Sequence, residues 1–272
     1  MNRNIIFYDG LKELIVNNVL SLPPYEIDKM YDSWELDKNK EGIKTNFTYS
    51  DEIIHKNQNI PKGVSLKGID LPTWFGDISK KKVMILGIDP LRNETVFNRE
   101  KSNPENEVIV GTPYALHEYD SRKGNCAAYW TLIENLSKDN FVYCTDIFKT
   151  YYYDKINKKR SYLDKRFNNQ GVHRELLISE LELVNPDMII VFGKIAHKLL
   201  LNKGCPKISQ EISRTKREFE YNGQMTDVYT VIHLGGGAYN SHMLAFLKAN
   251  ELNDINPGDR IACAKGYLKL LT

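Results

Sequence analysis

Four short runs of predominantly apolar residues constrain the fold of this chain of 272 residues more than any other feature. They occupy residues 83–86, 141–144, 188–192 and 228–232, and a turn follows each of them. A strand that is covered on both faces has continuous apolar sequence, whereas a half-exposed strand alternates. Helix-length segments separate the runs, so the sequence predicts an α/β fold. We expect a three-layer αβα sandwich with a mostly parallel central sheet of about four strands.

The predicted helices lie between these strands, after the last one, and near the start of the chain. They cover approximately residues 7–20, 127–136, 171–184, 194–201, 241–250 and 259–271. The first helix is followed by a polar, turn-rich segment with few periodic apolar positions. We therefore expect residues 1–78 to be an N-terminal extension that packs on a core domain of residues 79–272.

Composition indicates a globular protein that works in a reducing compartment. Hydrophobic residues make up 42% of the chain, and 37 basic residues balance 35 acidic ones. We find neither a run of the ~18 apolar residues that a membrane span needs nor a signal peptide. The cysteines, Cys126, Cys144, Cys205 and Cys263, are far apart in sequence and predict buried apolar side chains rather than a metal or disulfide site. We expect a cytoplasmic protein without a metal ion.

Polar residues and glycines follow the carboxyl ends of all four predicted strands. Asp89 follows the first strand, Asp146 the second, Gly193 the third, and His233 with the glycines of 235–237 the fourth. Taken singly, each has an ordinary explanation as a turn, a helix cap, a structural histidine or a flexible loop. Ligands of such sheets bind beyond the carboxyl ends of the strands. The coincidence at four equivalent positions therefore favours a functional site.

The order and spacing of these segments resemble the uracil-DNA glycosylase superfamily over about residues 80–250. G-I-D-P-L at 87–91 is similar to the family's G-Q-D-P-Y-H, and T-D-I-F-K at 145–149 to its T-N-V-V-K. G-T-P-Y at 111–114 is similar to its base-stacking segment, and N-P-D-M-I-I-V-F-G at 185–193 to its P-x-x-I-V-x-L-G strand. H-L-G at 233–235 corresponds to H-P-S. The matches follow one another in the family's order, and the first 79 residues are not covered.

The resemblance implies a monofunctional DNA glycosylase that flips a pyrimidine nucleotide and hydrolyses its N-glycosidic bond without a cofactor. Asp89 would oppose the positive charge on the sugar and orient the attacking water. His233 would donate a hydrogen bond to O2 of the departing base. Tyr114 would stack on that base. The residues expected to bind the base are Gly87, Ile88, Leu91, Tyr114 and Asp146.

Two segments are expected to contact DNA. Residues 149–174 hold eight basic and two acidic side chains, a net +6, interleaved with aromatic residues. The loop after His233 corresponds to the family's DNA-penetrating wedge, with Leu234 or Tyr239 filling the gap left by the flipped base. A solvated surface is the alternative for both. The expected contacts are Lys149, Lys158, Lys159, Arg160, Leu234, Gly235, Gly236, Gly237, Tyr239 and Asn240.

Two departures from the family pattern bear on the substrate. Asp146 stands where uracil-reading members have Asn, and a carboxylate suits the amino group of cytosine better than O4 of uracil. Leu91 stands where strict uracil enzymes have a Tyr that excludes substituents at C5. Together they favour a C5-modified cytosine, such as the hypermodified bases of some phage DNA. The setting would be DNA repair or antiviral defence, and the partner DNA rather than a membrane, bound by a monomer.

Three other functions stay open at this point. The chain could be an ordinary uracil-DNA glycosylase of base excision repair. It could instead be a catalytically silent DNA-binding module of the same fold. A nucleotide- or phosphate-binding protein that uses Gly193 and Lys194 is the third, although neither G-x-x-x-x-G-K-[ST] nor a G-x-G-x-x-G motif after a strand occurs.

Overall fold

The structure is a computed structural model that describes residues 5–37, 40–42, 47–50, 62–88, 107–154, 156–157, 159–161, 172–235 and 240–271. Its strands are β1 (Phe47–Ser50), β2 (Val64–Asp70), β3 (Thr73–Phe75), β4 (Lys81–Gly87), β5 (Glu107–Gly111), β6 (Asn140–Asp146), β7 (Thr150–Asp154), β8 (Lys159–Ser161), β9 (Met188–Phe192), β10 (Arg217–Tyr221) and β11 (Gln224–Val231). Its helices are α1 (Ile5–Asn18), α2 (Pro24–Asp37), α3 (Tyr119–Lys123), α4 (Ala127–Leu136), α5 (Val172–Val184), α6 (Gly193–Leu201), α7 (Ile212–Thr215), α8 (Asn240–Ala249) and α9 (Arg260–Leu271).

The central sheet is built from the four predicted strands, with a further strand at each edge. In the described part of the chain its order is β10-β11-β9-β4-β6-β3. β11, β9, β4 and β6 run parallel, whereas β10 and β3 are antiparallel to their neighbours. The edge strands were not predicted because they lack a long apolar run. β10 alternates between exposed and buried residues over most of its length, and β3 has 3 residues.

Alternate side chains of β4 enter two separate hydrophobic clusters, one on each face of the central sheet. Val83 and Ile85 pack in a cluster with buried residues of α4, α8 and α9. Met84 and Leu86 pack in a second cluster with residues of α1, α2, α5 and α6. This alternation is what a strand buried on both faces produces. The predicted three-layer αβα sandwich with a mostly parallel sheet is therefore confirmed.

A second sheet, which the sequence did not predict, has the order β1-β5-β2-β7-β8 among the described residues. β2 is parallel to β5 and antiparallel to β7, and β7 forms a hairpin with β8. Part of the basic segment 149–174 thus forms β7 and β8. These strands are short, and most pair with partners distant in sequence, so no local pattern identifies them.

The N-terminal helix α1 contributes to the main core. Phe7, Leu11 and Ile15 are buried in the same cluster as the central strands. The Phe7 ring contacts Trp74 and Phe141 edge to face, with centroids 5.4 and 5.3 Å apart. Helix α1 is therefore packed against the central sheet. A division of the chain at residue 79 stays a prediction.

Candidate active site

The carboxyl ends of the four parallel strands bring Gly87, Asp146, Gly193 and His233 to one edge of the central sheet. Gly87, the last residue of β4, pairs in register with Asp146, the last residue of β6. Beyond the strands, the N–H of Ile147 donates to the Gly87 carbonyl at 3.1 Å. The N–H of Phe148 donates to the Ile88 carbonyl at 2.9 Å. These bonds extend the parallel pairing and fix the backbone from which Asp146 projects.

The Asp146 carboxylate lies against the backbone of Gly87. A Cβ atom at residue 87 would lie 2.0 Å from Asp146 Oδ1 and 3.1 Å from the Tyr114 hydroxyl oxygen. Only glycine permits so close an approach. Asp146 itself is 3% exposed. The end of β4 thus has a buried acid and a tyrosine hydroxyl beside the same backbone position. A base-binding pocket formed by Gly87, Tyr114 and Asp146 stays a prediction.

Tyr114 is held in an unusual backbone conformation with its hydroxyl pointing inward. Its φ and ψ are 56° and 19°, in the left-handed region that non-glycine residues seldom adopt, and Ala115 has φ 50°. The hydroxyl is buried, and no described residue offers it a hydrogen-bond partner. Burial, with the nearby Tyr129 and Asp146, raises the pKa of Tyr114 well above its ordinary value. The phenol therefore stays protonated.

One face of the Tyr114 ring is covered by Tyr129. The two rings are stacked at a centroid distance of 4.1 Å and an interplanar angle of 14°. The flipped base would have to stack on the face of the Tyr114 ring that Tyr129 does not cover. Base stacking by Tyr114 stays a prediction.

The His233 imidazole lies between the end of β9 and helix α4. A Cβ atom at Gly193 would lie 2.7 Å from its Nε2, and Gly193 has φ 85°, so both space and backbone require glycine there. The ring stacks on Phe192 with centroids 5.9 Å apart. Nδ1 lies 3.2 Å from the Tyr129 hydroxyl oxygen. His233 is half-buried in this position.

Tyr129 joins the other site residues and was not predicted. Its hydroxyl oxygen accepts a hydrogen bond from the N–H of Gly235 at 3.1 Å. Burial raises the pKa of Tyr129 to about 12, although the backbone N–H groups of Gly235 and Leu234 oppose the shift. In the sequence, Tyr129 belongs to the buried stripe of α4 and reads as an ordinary core residue. No local signal distinguishes it from Leu132 on the same stripe.

The Lys149 side chain is buried in the interior, so the prediction that it contacts DNA is wrong. Its ammonium group pairs with Glu180 Oε2 at 2.6 Å and also donates to Thr145 Oγ1, and its side chain is 1% exposed. The Tyr143 hydroxyl donates to the other oxygen of Glu180 at 2.9 Å. An ammonium group in the interior requires such compensation. The Lys149 side chain therefore anchors the end of β6 from within.

Leu234 is not available as a DNA wedge, so the prediction for it is wrong. It is 2% exposed and packs in the cluster that includes Ile232 and Met243. An apolar side chain is favoured in that interior over a position in solvent. Asn240 is exposed at the start of α8, where its Oδ1 accepts a hydrogen bond from Arg260 at 2.8 Å.

Several predicted residues lie outside the part of the chain that the structure describes. They are Asp89, Leu91, Lys158, Gly236, Gly237 and Tyr239. Lys159 and Arg160 lie on β8, where their backbones pair with Asp154 and Tyr153. Ile88 directly follows β4 and is partly buried against the main core cluster. The roles of all of these residues stay predictions.

The cysteines are free thiols at separate positions. Cys144 and Cys263 are buried, whereas Cys126 and Cys205 are partly exposed. Burial raises the pKa of Cys126 to about 11. Among the described residues, no group of three or more His, Cys, Asp or Glu side chains could hold a metal ion. None of the helices in the described ranges is long and apolar enough to cross a membrane.

Comparison with protein families gives a match to the Uracil DNA glycosylase superfamily over residues 73–254. The matched range begins with β3 and includes every parallel strand of the central sheet. It also contains Gly87, Tyr114, Tyr129, Asp146 and His233. A search of curated proteins finds no significant match to the chain.

Proposed function

Because the chain belongs to the uracil-DNA glycosylase superfamily, we propose that it hydrolyses the N-glycosidic bond of a flipped C5-modified cytosine in DNA. Members of this superfamily are generally DNA glycosylases, and they act on DNA. The product would be an abasic site. The observation that supports the choice of base is the buried Asp146 carboxylate against Gly87.

An acid at residue 146 favours the hydrogen-bonding edge of cytosine. A carboxylate accepts hydrogen bonds, and the 4-amino group of cytosine donates them. Uracil has a carbonyl at position 4, which would face the carboxylate lone pair to lone pair. A protonated Asp146 would instead donate to N3 of cytosine, which is an acceptor. Either protonation state of Asp146 thus has a complementary partner on cytosine.

Leu91 is the reason to extend the proposal from cytosine to its C5-modified forms. The resemblance aligns it with a tyrosine whose ring excludes substituents at C5 in strict uracil enzymes. Leucine is shorter than tyrosine and would leave more space on that side of the base. A site that reads cytosine without excluding modified forms suits hypermodified phage DNA, so we propose antiviral defence as the setting.

The proposed chemistry uses one residue on each side of the scissile bond. As the C–N bond breaks, the sugar gains positive charge and the base gains negative charge. Asp89 would oppose the first charge and direct a water molecule to C1′. His233 would donate a hydrogen bond to O2 of the departing base, a contribution of about 3 kcal/mol to barrier lowering for one preorganised donor. Extruding the nucleotide costs a few kcal/mol, which contacts with the DNA backbone would offset.

A panel of duplex substrates tests the proposal. The purified protein is incubated with DNA containing uracil, cytosine, 5-hydroxymethylcytosine or glucosylated 5-hydroxymethylcytosine, and abasic sites are cleaved by alkali. We expect strand cleavage with the modified cytosines. Cleavage of the uracil duplex alone would reject the modified-cytosine substrate and favour an ordinary uracil-DNA glycosylase.

The variant Asp146→Asn tests whether residue 146 reads the base. An amide both donates to O4 and accepts from N3–H of uracil, so we expect the preference to shift toward uracil by tenfold or more, equivalent to about 1.4 kcal/mol. Relative rates on the substrate panel measure the shift. Asp227→Asn is the control, because Asp227 pairs with Lys216 at 2.8 Å on the half-exposed part of β11. An unchanged preference in Asp146→Asn would remove residue 146 from base recognition.

The variants Asp89→Ala and His233→Ala separate a glycosylase from a silent binding module. A glycosylase that uses both residues should lose excision by orders of magnitude in each variant while its circular dichroism spectrum is retained. A silent module would bind DNA equally well with or without Asp89 and release no base from any substrate. Full excision by both variants would reject the assigned roles.

A further inference from the structure

The Tyr129 hydroxyl lies between the side chain of His233 and the backbone of Gly235. Its oxygen is 3.1 Å from the Gly235 nitrogen and 3.2 Å from His233 Nδ1. A backbone N–H can only donate, so the phenol oxygen accepts from Gly235. The phenol has a single proton of its own. Among the described residues, His233 Nδ1 is the acceptor that lies within reach of that proton.

The Tyr129 phenol keeps its proton at any physiological pH, so it can act as a hydrogen-bond donor. Its ring is stacked on Tyr114 at 4.1 Å and meets the edge of Phe192 at 5.1 Å. The two aromatic contacts restrain the ring and therefore the position of the hydroxyl oxygen beside His233. Burial raises the pKa of Tyr129 to about 12, so the phenolate form is not populated near neutrality.

We propose that Tyr129 is a positioning residue that holds His233 in the neutral tautomer with its proton on Nε2. A neutral imidazole has one N–H, so a nitrogen that accepts from Tyr129 leaves the proton on the other nitrogen. Nε2–H is then the group that donates to the departing base. The chemical consequence rests on the proposed glycosylase function, whereas the tautomer itself does not.

The same contacts orient the imidazole as well as its proton. Nε2 faces the position where Gly193 lacks a side chain, and the ring plane is set by stacking on Phe192. The Tyr129 oxygen bridges the Gly235 N–H and His233 Nδ1. Tyr129 therefore couples the backbone at Gly235 to the imidazole of His233. In this arrangement the backbone at Gly235, helix α4 and the end of β9 together determine the direction of the His233 Nε2–H bond.

Nuclear magnetic resonance of the full chain labelled with ¹⁵N-histidine tests the tautomer directly. Two-bond ¹⁵N–¹H correlations distinguish the two neutral tautomers, and the spectrum of His233→Ala identifies the His233 signals. We expect the Nε2–H pattern in the unaltered protein and a shift toward Nδ1–H in Tyr129→Phe. An Nδ1–H pattern in the unaltered protein, or the same tautomer in both proteins, would overturn the proposal.

The matched control is Tyr221→Phe, which removes a hydroxyl that donates to Asn185 Oδ1 at 3.2 Å. It should leave the His233 signals unchanged. Tyr129→Phe retains the ring and both aromatic contacts, so we expect it to fold, and thermal unfolding of both variants checks this. A change of tautomer in Tyr221→Phe would mean that the spectrum reports general loosening of the fold, which counts against Tyr129 as its specific cause.

Excision kinetics test the chemical consequence. Tyr129→Phe should lower kcat by a factor between about 10 and 10⁴. The upper value is the loss of kcat seen when the group that orients a catalytic imidazole is replaced. We expect KM to stay within about twofold of its original value. An altered tautomer with an unchanged kcat would overturn the consequence for catalysis. An altered tautomer in a protein that excises no base from any substrate would support the positioning role and refute the proposed function.

Discussion

At the scale of single residues, the site depends on two positions that have no side chain. Gly87 lets the Asp146 carboxylate lie against the backbone of β4, and Gly193 lets the His233 imidazole lie against the end of β9. Each of the two polar groups thereby packs directly against main chain. Substitution of either glycine should act on the site before it acts on the fold.

Gly87→Ala is expected to reduce excision by a factor on the order of 100, the cost of misplacing the bound base by about 1 Å when Asp146 moves. The added methyl group would lie 2.0 Å from Asp146 Oδ1, so the carboxylate must move. Single-turnover excision of the best substrate in the panel measures the effect. Gly204→Ala is the control, because a Cβ there meets nothing within 4 Å. Equal rates for the two variants would mean that the position of Asp146 does not matter.

Residues at strand ends could be predicted from the sequence, but their partners could not. Gly87, Asp146 and His233 were identified because each follows an apolar run, and parallel strands end at a common edge. Tyr129 is 104 residues from His233 in the chain, and its sequence neighbours give no indication of the contact. Lys149 was misjudged because a basic residue in a basic segment gives no sign of a buried acid 31 residues away.

At the scale of elements, the buried ion pair joins the end of β6 to helix α5. Lys149 and Glu180 are each 1% exposed, and the hydroxyls of Tyr143 and Thr145 also bond to Glu180. Removing one member leaves a charge in the interior without its counter-charge, which is far more costly than removing both. The strand end from which Asp146 projects is tied to the helical layer by this pair.

Lys149→Met should lower the free energy of unfolding by about 3–5 kcal/mol, because Glu180 stays buried without its cation. The double variant Lys149→Met/Glu180→Gln should recover most of that loss, since the amide oxygen still accepts from the Tyr143 hydroxyl. Urea unfolding of the two variants and the unaltered chain measures both effects. A double variant as unstable as the single one would show that the lost stability has another cause.

Elements with continuous local patterns were predicted almost to the residue, and those without were not. Helix α4 has the predicted bounds of residues 127–136, because its apolar stripe repeats at helical spacing. The five-stranded sheet was missed because its strands have 3 to 7 residues and most gain their partners over long distances. Pairing of that kind depends on the finished core rather than on local sequence.

At the scale of the whole molecule, the N-terminal helices and the central sheet share one hydrophobic core. Phe7 from α1 meets Trp74 from β3 and Phe141 from β6, and Trp34 from α2 is 2% exposed in the same cluster. The family match begins at residue 73, yet α1 and α2, which help α5 and α6 to cover this face of the sheet, come from earlier residues. Stability of the matched region should therefore depend on the segment before it.

Phe7→Ala should lower the free energy of unfolding by about 3–5 kcal/mol, the usual cost of truncating a buried aromatic ring. Ile6→Ala is the matched control on the same helix, because Ile6 is 85% exposed and should change stability by less than about 0.5 kcal/mol. Urea unfolding measures both. Similar stability of the two variants would mean that α1 is only loosely attached to the core.

Because the side chains of β4 alternate between two helical layers, the length of that strand also determines where Gly87 lies in the active site. Val83 and Ile85 face one helical layer, and Met84 and Leu86 face the other. One residue inserted between 81 and 86 would exchange the two sets and carry Gly87 out of register with Asp146. The hydrophobic packing and the active site would then be lost together. A variant of β4 that retains the native core should therefore also retain the contact between the Asp146 carboxylate and the Gly87 backbone.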